Sequence, residues 1–393
     1  MKVKYLTAGE SHGPELTAII EGIPSNFEVS KKYIDEFLLR RQKSLGSGGR
    51  MNIEKDEVYI SSGVINNLST GGPIAIKIIN KDWQNWKEKE IEPFVIPRPG
   101  HADLVGTFKY NHNDIRLSLE RASARETAIR CAVGAICHQV LHQLDIDIVG
   151  FVTSIGKQNS ENIDLKNIEQ LKNLINESEV SCPDKQSSDL MMNEIKSARK
   201  KKDTLGGAIT VVAKNFPAGC GSYVHFDRKL DSKLASSMMS VQSVKAVEVG
   251  NGIQASQEYG TKVQDQIVLS ENKIKRITNN LGGFEGGMST GEPIIITSYL
   301  KPISTTLTPI KSVNLSSHEE TETTYERSDT CAVPRAVPIF ESVMAIDLLN
   351  SLLENTGGDS KDVISKRVSD LKNISPESFN LTNKKWTMNY ENE

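Results

Sequence analysis

Strand-like and helix-like segments follow one another along this chain without the regular alternation that builds a doubly wound parallel sheet. Residues 118–144 form the strongest predicted helix, because they are rich in Ala, Leu, Glu and Arg and contain no proline. Residues 338–353 predict a second core helix. Apolar runs predict strands at residues 3–7, 16–21, 57–60, 74–79, 148–153, 208–213, 246–249 and 294–300. This order of elements predicts an α+β fold built from packed layers.

The charge and the cysteine content exclude several classes of protein. A net charge of −3 over 393 residues offers no general attraction for nucleic acid or for an anionic membrane. We find no apolar run of the roughly 18 residues that span a bilayer and no apolar core of a signal peptide. Five widely spaced cysteines without a C-x-x-C pair suggest neither disulfides nor a zinc site. We therefore expect a cytoplasmic protein with no nucleic-acid partner, no membrane partner and no metal.

The composition changes twice along the chain. Residues 157–202 are polar and rich in Lys, Glu and Asn, with the apolar spacing of a helix in their middle part. After the NTGG sequence at 355–358 the chain turns polar again. These changes predict one large domain over residues 1–355 and a weakly ordered extension over residues 356–393.

Ten of the fourteen arginines fall in short stretches near glycine-rich or histidine-containing loops, although most basic residues are lysines. They are Arg40, Arg41, Arg50, Arg98, Arg116, Arg121, Arg125, Arg130, Arg327 and Arg335. A guanidinium group binds phosphate and carboxylate through two hydrogen bonds, so this clustering indicates an anion site. For any single arginine, a surface ion pair stays open as the alternative. His12 and His101 lie in turn-rich loops of the same regions, where a group that titrates near neutrality can transfer protons.

The glycine-rich stretches indicate no nucleotide-binding loop. Residues 46–49, 205–207 and 281–287 match neither G-x-G-x-x-G nor the P-loop pattern, so we expect no Rossmann domain and no P-loop. His101-x-Asp103 and His112-x-Asp114 could each supply two metal ligands, and a metal-dependent phosphohydrolase stays open as an alternative. The residues by themselves indicate a polyanion pocket that contains two histidines and an aspartate.

Three groups of motifs, in order, resemble the signatures of the chorismate synthase family. They are GESHG at 9–13 with EGIP at 21–24, RPGHADL at 98–104 with ERASARETA at 120–128, and RSD at 327–329 with PRAVP at 334–338 and Glu341. Supporting stretches are RRQ at 40–42, MSVQSVK at 239–245, GGMSTG at 286–291 and KP at 301–302. The resemblance spans about residues 1–355. It implies a β-α-β sandwich in a single domain that assembles as a homotetramer.

The resemblance also implies a reaction. Members of the family convert 5-enolpyruvylshikimate 3-phosphate into chorismate by 1,4-elimination of phosphate, the last common step of aromatic amino acid biosynthesis. The hydrogen that leaves is not next to a carbonyl, so a carboxylate base alone would face a very unfavourable proton transfer. Reduced FMN solves this without net redox change, and the protein supplies anion binding, proton placement and exclusion of water. NADPH and an external reductase are the two candidate sources of electrons for the flavin.

The same resemblance assigns roles to individual residues. His12 would protonate the departing phosphate, His101 would protonate or stabilise the reduced flavin, and Asp329 would help to remove the ring proton. The predicted substrate-binding residues are Arg41, Arg50, Arg98 and Arg125. The predicted FMN-binding residues are Arg121, Ala122, Ser123, Gln242, Ser243, Gly286, Lys301, Pro302, Ile303, Ser304, Thr305 and Arg327.

Several positions depart from the family pattern. Ser47 stands where the family commonly has arginine, and Ser44 and Leu45 stand where it has glycine and an aromatic residue. Ala122 and Ser328 also differ from the usual residues. A member that binds flavin without catalysis therefore stays open as an alternative. Because His12, His101 and Asp329 are all present, we favour a divergent but active enzyme.

Overall fold

The computed structural model describes residues 2–42, 55–160, 163–165, 167–324, 329–372, 374–388 and 390. Its strands are β1 Lys4–Ala8, β2 Glu15–Glu21, β3 Val58–Ser62, β4 Val64–Ile65, β5 Leu68–Ser69, β6 Ile74–Ile79, β7 Asp147–Ile155, β8 Gln158–Asn159, β9 Gly207–Lys214, β10 Val244–Val249, β11 Ile267–Ser270, β12 Lys273–Arg276, β13 Phe284–Glu285, β14 Met288–Ser289, β15 Ile294–Leu300, β16 Lys311–Asn314 and β17 Glu319–Glu322. Its α-helices are α1 Lys31–Gln42, α2 Asp103–Tyr110, α3 Arg116–Ala122, α4 Thr127–His142, α5 Ile168–Glu177, α6 Lys185–Lys200, α7 Leu230–Met239, α8 Gly252–Ala255, α9 Gly260–Val263, α10 Val333–Thr356 and α11 Lys361–Lys372.

Two antiparallel sheets enclose a layer of helices. One sheet has the strand order β1-β2-β6-β3 and the other β10-β15-β9-β7-β8. Helix α4 packs on β2 of the first sheet, α10 packs on β7 and β9 of the second, and the two helices pack on each other. The architecture is an α+β sandwich of sheet, helices and sheet, which confirms the predicted fold class.

The sequence of α4 explains its place at the centre. Nearly all of its residues are apolar or small, and a helix that is apolar all round must be buried on every side. Gly134 lets α10 approach closely, because a Cβ atom at that position would lie 2.2 Å from the Cβ of Ser342. The two central helices therefore pack backbone to backbone at this crossing.

The predicted helix over residues 118–144 is interrupted. Ser123 has φ −60° and ψ 141°, which is extended backbone, and its side chain accepts a hydrogen bond from Arg125 N. Serine favours this cap over the helix interior, because its hydroxyl competes for backbone groups. Helix α3 therefore ends at Ala122, and α4 begins at Thr127 after a short 3-10 turn at Ala124–Glu126. The ERASARETA motif at 120–128 spans this break.

Helix α10 is longer than the helix predicted over residues 338–353. It runs over Val333–Thr356, with a proline in its first turn. Its length and a mean hydropathy of 1.5 over its most apolar 18-residue stretch would suit a membrane span, but 94 % of that stretch is buried inside the protein. It is the core helix of the sandwich.

The polar regions also contain helices. The predicted helical pattern in the middle of residues 157–202 corresponds to α5, whereas α6 in the same region was not predicted. In the extension, α11 packs on α10 and buries Ile364 and Val368. Part of the segment that we expected to be weakly ordered is thus a helix with a buried face. The division of the chain at residues 355 and 356 stays a prediction.

Candidate active site

A cavity of about 980 Å³ lies among the loops that carry the signature motifs. It is within the upper range of small-molecule sites. The predicted residues that line it are His12, Arg41, Arg98, His101, Ala122, Ser123, Gln242, Ser243, Lys301, Ile303, Ser304, Thr305 and Asp329. Segments at opposite ends of the sequence, from His12 to Asp329, therefore meet around one space.

His12 lies between a carboxylate and an indole. Its Nδ1 is 2.7 Å from Glu120 Oε1, and its backbone N donates to Glu120 Oε2 at 2.7 Å. The ring of Trp86 lies on the imidazole with a centroid distance of 4.1 Å and an interplanar angle of 37°. Burial would raise the pKa of Glu120, but the hydrogen bonds from His12 outweigh it, so this pKa lies below its ordinary value. Glu120 is therefore an ionised acceptor at neutral pH.

His101 has a more deeply buried partner. Its Nδ1 lies 2.5 Å from Oδ1 of Asp103, which is fully buried at the start of α2. Arg98 binds the same carboxylate through Nε at 2.7 Å and Nη2 at 3.0 Å. Burial opposes ionisation, but the bonds from His101 and Arg98 hold the pKa of Asp103 well below its usual range. Since an ionised carboxylate only accepts, Nδ1 of His101 carries the proton in this pair.

Asp329 lies beside the first turn of α10. Its Oδ2 is bonded to Arg335 Nη1, and both side chains line the cavity. The arginine thus holds the carboxylate at the cavity wall and compensates its charge.

Arg41 is a buried arginine at the cavity. Its side chain is 1 % exposed, and it donates from Nε to Thr127 Oγ1 and from Nη2 to Ala124 O. Its Nη1 finds no hydrogen-bond acceptor among the described residues, and Asp56 Oδ2 is 3.7 Å away. Burial and the nearby charge of Arg335 lower the pKa of Arg41 to about 10. A bound anion would supply the missing acceptor.

The other predicted substrate arginines are differently placed. Arg98 lines the cavity, but its guanidinium is bonded to Asp103 and, at 3.1 Å, to Thr305 Oγ1. Arg125 is buried outside the cavity wall, where it binds Asp56 and Asn80. Arg50 lies outside the described residues. Arg98 and Arg125 therefore hold neighbouring protein groups in this structure.

Eight of the twelve predicted FMN residues line the cavity. Ser243 has φ 74°, a left-handed conformation that is costly for serine and is often found at functional sites. Pro302 lies between cavity residues without lining the space itself. Arg121 instead donates to the carbonyls of Thr7 and Gly9, and Gly286 lies in the β13–β14 turn near Tyr223. Arg327, with Ser328 and the departures at 44, 45 and 47, lies outside the described residues.

Several cavity residues were not among the predicted site residues. They are Ser11, Asp82, Asn85, Trp86, Lys89, Lys245 and Arg335, of which Arg335 had been noted only as one of the clustered arginines. The tryptophans could have indicated the segment that carries Asp82, Asn85, Trp86 and Lys89. Two of the three tryptophans in the chain lie at positions 83 and 86 within this polar stretch. Glu120 was quoted only as part of a motif, and its spacing does not reveal that it contacts His12.

The residues proposed as metal ligands are engaged with protein groups. His101 and Asp103 are bonded to each other, while His112 Nδ1 lies 2.9 Å from Ser118 Oγ. Asp114 accepts hydrogen bonds from the backbone of Phe94 and Arg116. Within the part of the chain that the structure describes, no group of three His, Cys, Asp or Glu side chains could hold a metal ion.

Comparison with known proteins identifies the family. The chorismate synthase family profile matches residues 3–353. Chorismate synthase of Bacillus licheniformis is 44 % identical over 389 residues, covering 95 % of this chain and 100 % of that protein. The Bacillus subtilis enzyme is 43 % identical with the same coverage. A crystal structure of chorismate synthase matches with a TM-score of 0.78 at 38 % identity, over 95 % of this chain and 99 % of that one. The chain therefore belongs to the chorismate synthase family, which are lyases of aromatic amino acid biosynthesis.

Proposed function

We propose that this chain eliminates phosphate from 5-enolpyruvylshikimate 3-phosphate with reduced FMN bound beside the substrate in the 980 Å³ cavity. The observation that carries the proposal is the meeting of His12, His101 and Asp329 around this one space. Each of the three is bonded to a partner of opposite charge or to a carboxylate acceptor. Such pairing keeps proton-transfer groups oriented.

The cavity wall suits a substrate with several negative charges. Arg41, Lys245 and Lys301 line it, and Nη1 of Arg41 lacks an acceptor among the described residues. Charges that are removed from water need compensation by fixed partners. We infer that Arg41 binds the substrate directly, whereas Arg98 and Arg125 act by holding Asp103, Asp56 and Asn80.

His12 is the proton donor in this proposal. His12 and Arg41 line the same cavity, which suits protonation by His12 of a departing phosphate that is bound there. General acid catalysis of this kind contributes about a hundredfold to ten-thousandfold in rate. The ring of Trp86 covers part of the imidazole and keeps water from that side.

The residues present fit a flavin. Gln242 Oε1 is buried and has no hydrogen-bond donor among the described residues, so the amide can serve a ligand. Ser123, Ser243, Lys301, Ser304 and Thr305 add polar groups around it. When bound, reduced FMN supplies electron density as the C–O bond breaks and recovers it as the hydrogen leaves. Gln242, Ser243 and Lys301 would hold it, while Asp329 accepts the ring proton and His101 exchanges a proton at Nε2.

We also propose that the chain works as a cytoplasmic homotetramer, with NADPH or a separate reductase supplying electrons. The outer face of the first sheet supports an assembly, because Leu6, Ile19, Tyr59 and Ile79 lie exposed on it. Contiguous exposed apolar surface commonly marks a protein interface.

The test is anaerobic turnover with dithionite-reduced FMN, in which release of phosphate and formation of chorismate are both measured. We expect turnover in the wild type and a loss of at least about a hundredfold in His12→Ala. His142→Ala is the matched control, because that side chain is 62 % exposed and pairs with Asp147. A folded wild type that binds FMN without turnover would contradict the proposal and favour a non-catalytic flavoprotein.

A further inference from the structure

We propose that Glu120 is the positioning residue for His12: it holds the proton on Nδ1, so that the proton given to the departing phosphate comes from Nε2. This inference rests on the proposed function only for the identity of the proton acceptor. The arrangement of the two side chains can be tested without turnover.

Three hydrogen bonds join Glu120 to the loop that carries His12. Oε1 lies 2.7 Å from Nδ1 of His12, Oε2 accepts from the backbone N of His12, and the carbonyl accepts from Ser11 N at 3.0 Å. The side chains of His12 and Glu120 are 20 % and 14 % exposed, which favours a strong charge-assisted bond. An ionised carboxylate can only accept, so the Nδ1 tautomer follows from the pairing.

A second group supports the carboxylate. Arg116 lies four residues before Glu120 on α3, and its positive charge helps to lower the pKa of Glu120. The guanidinium carbon of Arg116 is 5.6 Å from the ring centre of Trp86 and 5.8 Å from that of Phe94. The aromatic rings thus fix Arg116 beside Glu120.

Other charged groups face this corner. Asp82 accepts from Trp86 Nε1 at 3.3 Å, and Lys89 Nζ lies 5.5 Å from the Trp86 ring centre. Glu10 lies in the same loop as His12. The carboxylate of Glu120 is hydrogen-bonded to the imidazole itself.

The fluorescence of Trp86 can report the charge of His12. Protonated imidazole quenches tryptophan fluorescence, so Trp86 senses the charge of His12 across 4.1 Å. A background of Trp83→Phe and Trp386→Phe leaves Trp86 as the single tryptophan of the chain. We expect its fluorescence to fall in one step as the pH is lowered, and His12→Ala to abolish that step. A step that survives His12→Ala would overturn the arrangement.

The decisive variant is Glu120→Gln, which keeps the hydrogen-bond acceptor and removes the charge. We expect the midpoint of the fluorescence step to move to lower pH, because the imidazole loses its charged hydrogen-bond partner. Glu126→Gln is the matched control, since Glu126 pairs with Thr7 and Arg130, and its midpoint should stay unchanged. An unchanged midpoint in Glu120→Gln would overturn the proposal.

The pH dependence of turnover separates this inference from the proposed function. In Glu120→Gln the alkaline limb of the kcat profile should move to lower pH in parallel with the fluorescence, whereas a merely structural role would lower kcat equally at every pH. A shifted fluorescence midpoint without turnover in any variant would contradict the proposed function alone. Turnover with an alkaline limb that does not move would contradict the role of Glu120.

Discussion

His12 and His101 both bond a carboxylate, but the two carboxylates come from different parts of the chain. His101 receives its carboxylate from Asp103, two residues along the same segment, and Arg98 holds that carboxylate with two hydrogen bonds. His12 receives its carboxylate from Glu120, 108 residues away on α3, and has the Trp86 ring on its face. Both imidazoles bond their carboxylate through Nδ1. The residues that hold the two carboxylates differ.

The difference lies in how the charge is compensated. Asp103 is fully buried, and its negative charge is compensated by Arg98, which is itself only 9 % exposed. Removing one partner of such a pair leaves a buried charge without compensation. The Glu120 side chain is 14 % exposed, so we expect its loss to affect the orientation of His12 more than the stability of the protein. We therefore expect the His101 corner to matter for stability and the His12 corner for proton transfer.

The largest expected effect is that of Asp103→Ala on stability. Because it leaves Arg98 buried and unpaired, we expect a loss of about 3–5 kcal/mol in the free energy of unfolding. Urea unfolding measures the loss, and Glu120→Ala is the matched control, with an expected loss of about 1–3 kcal/mol. Equal losses at the two positions would break the comparison.

Replacing the arginines tests the same asymmetry. Arg98→Lys cannot keep the bidentate bond to Asp103, and we expect a loss of about 1–3 kcal/mol. Arg116→Lys keeps the charge near Glu120 and should cost less than about 1 kcal/mol. Thermal unfolding at neutral pH measures both, and a larger loss for Arg116→Lys would contradict the assignment.

The acid limb of the stability curve provides a third test. The pKa of Asp103 is lowered in the folded protein, so its contribution is fully present above the unfolded pKa of about 4 and is lost as the pH falls through the folded value. The difference in stability between wild type and Asp103→Asn should therefore narrow as the pH is lowered below about 4. The measurement is urea unfolding at several pH values. A difference that stays constant would show that the charge of Asp103 is not what stabilises this corner.

The smallest effect belongs to the indole. Trp86→Leu removes the ring from His12, and loss of such an aromatic contact costs about 0.5–1.5 kcal/mol. Thermal unfolding measures this loss, and Trp83→Leu controls for the loss of a neighbouring tryptophan. The Trp86 variant alone should also change the pH profile of kcat, because the ring of Trp86 contacts the imidazole of His12. An identical pH profile in both variants would contradict the role of the ring.

The element types were largely predictable, and their interruptions were not. Apolar periodicity located the strands and central helices, because burial on one face or on all faces shapes the sequence directly. The break at Ser123 was missed, since a helix-forming composition on both sides hides a single capping residue. This break lies between Arg121 and Arg125 and gives them different partners. Arg121 donates hydrogen bonds to Thr7 and Gly9, whereas Arg125 binds Asp56 and Asn80.

By itself, the sequence determined the family, the α+β class and the chemical types of the site, because histidine, aspartate and arginine keep their chemistry wherever they lie. Only the tertiary structure decided which groups meet. Glu120 reaches His12 because α3 packs against the loop after β1, and Trp86 reaches it from a segment without a motif. Partner choice depends on distances between elements far apart in sequence. The spacing of residues along the chain does not encode those distances. Arg41, Arg98 and Arg125 were therefore all predicted to bind substrate, although Arg98 and Arg125 bind protein groups in the folded chain.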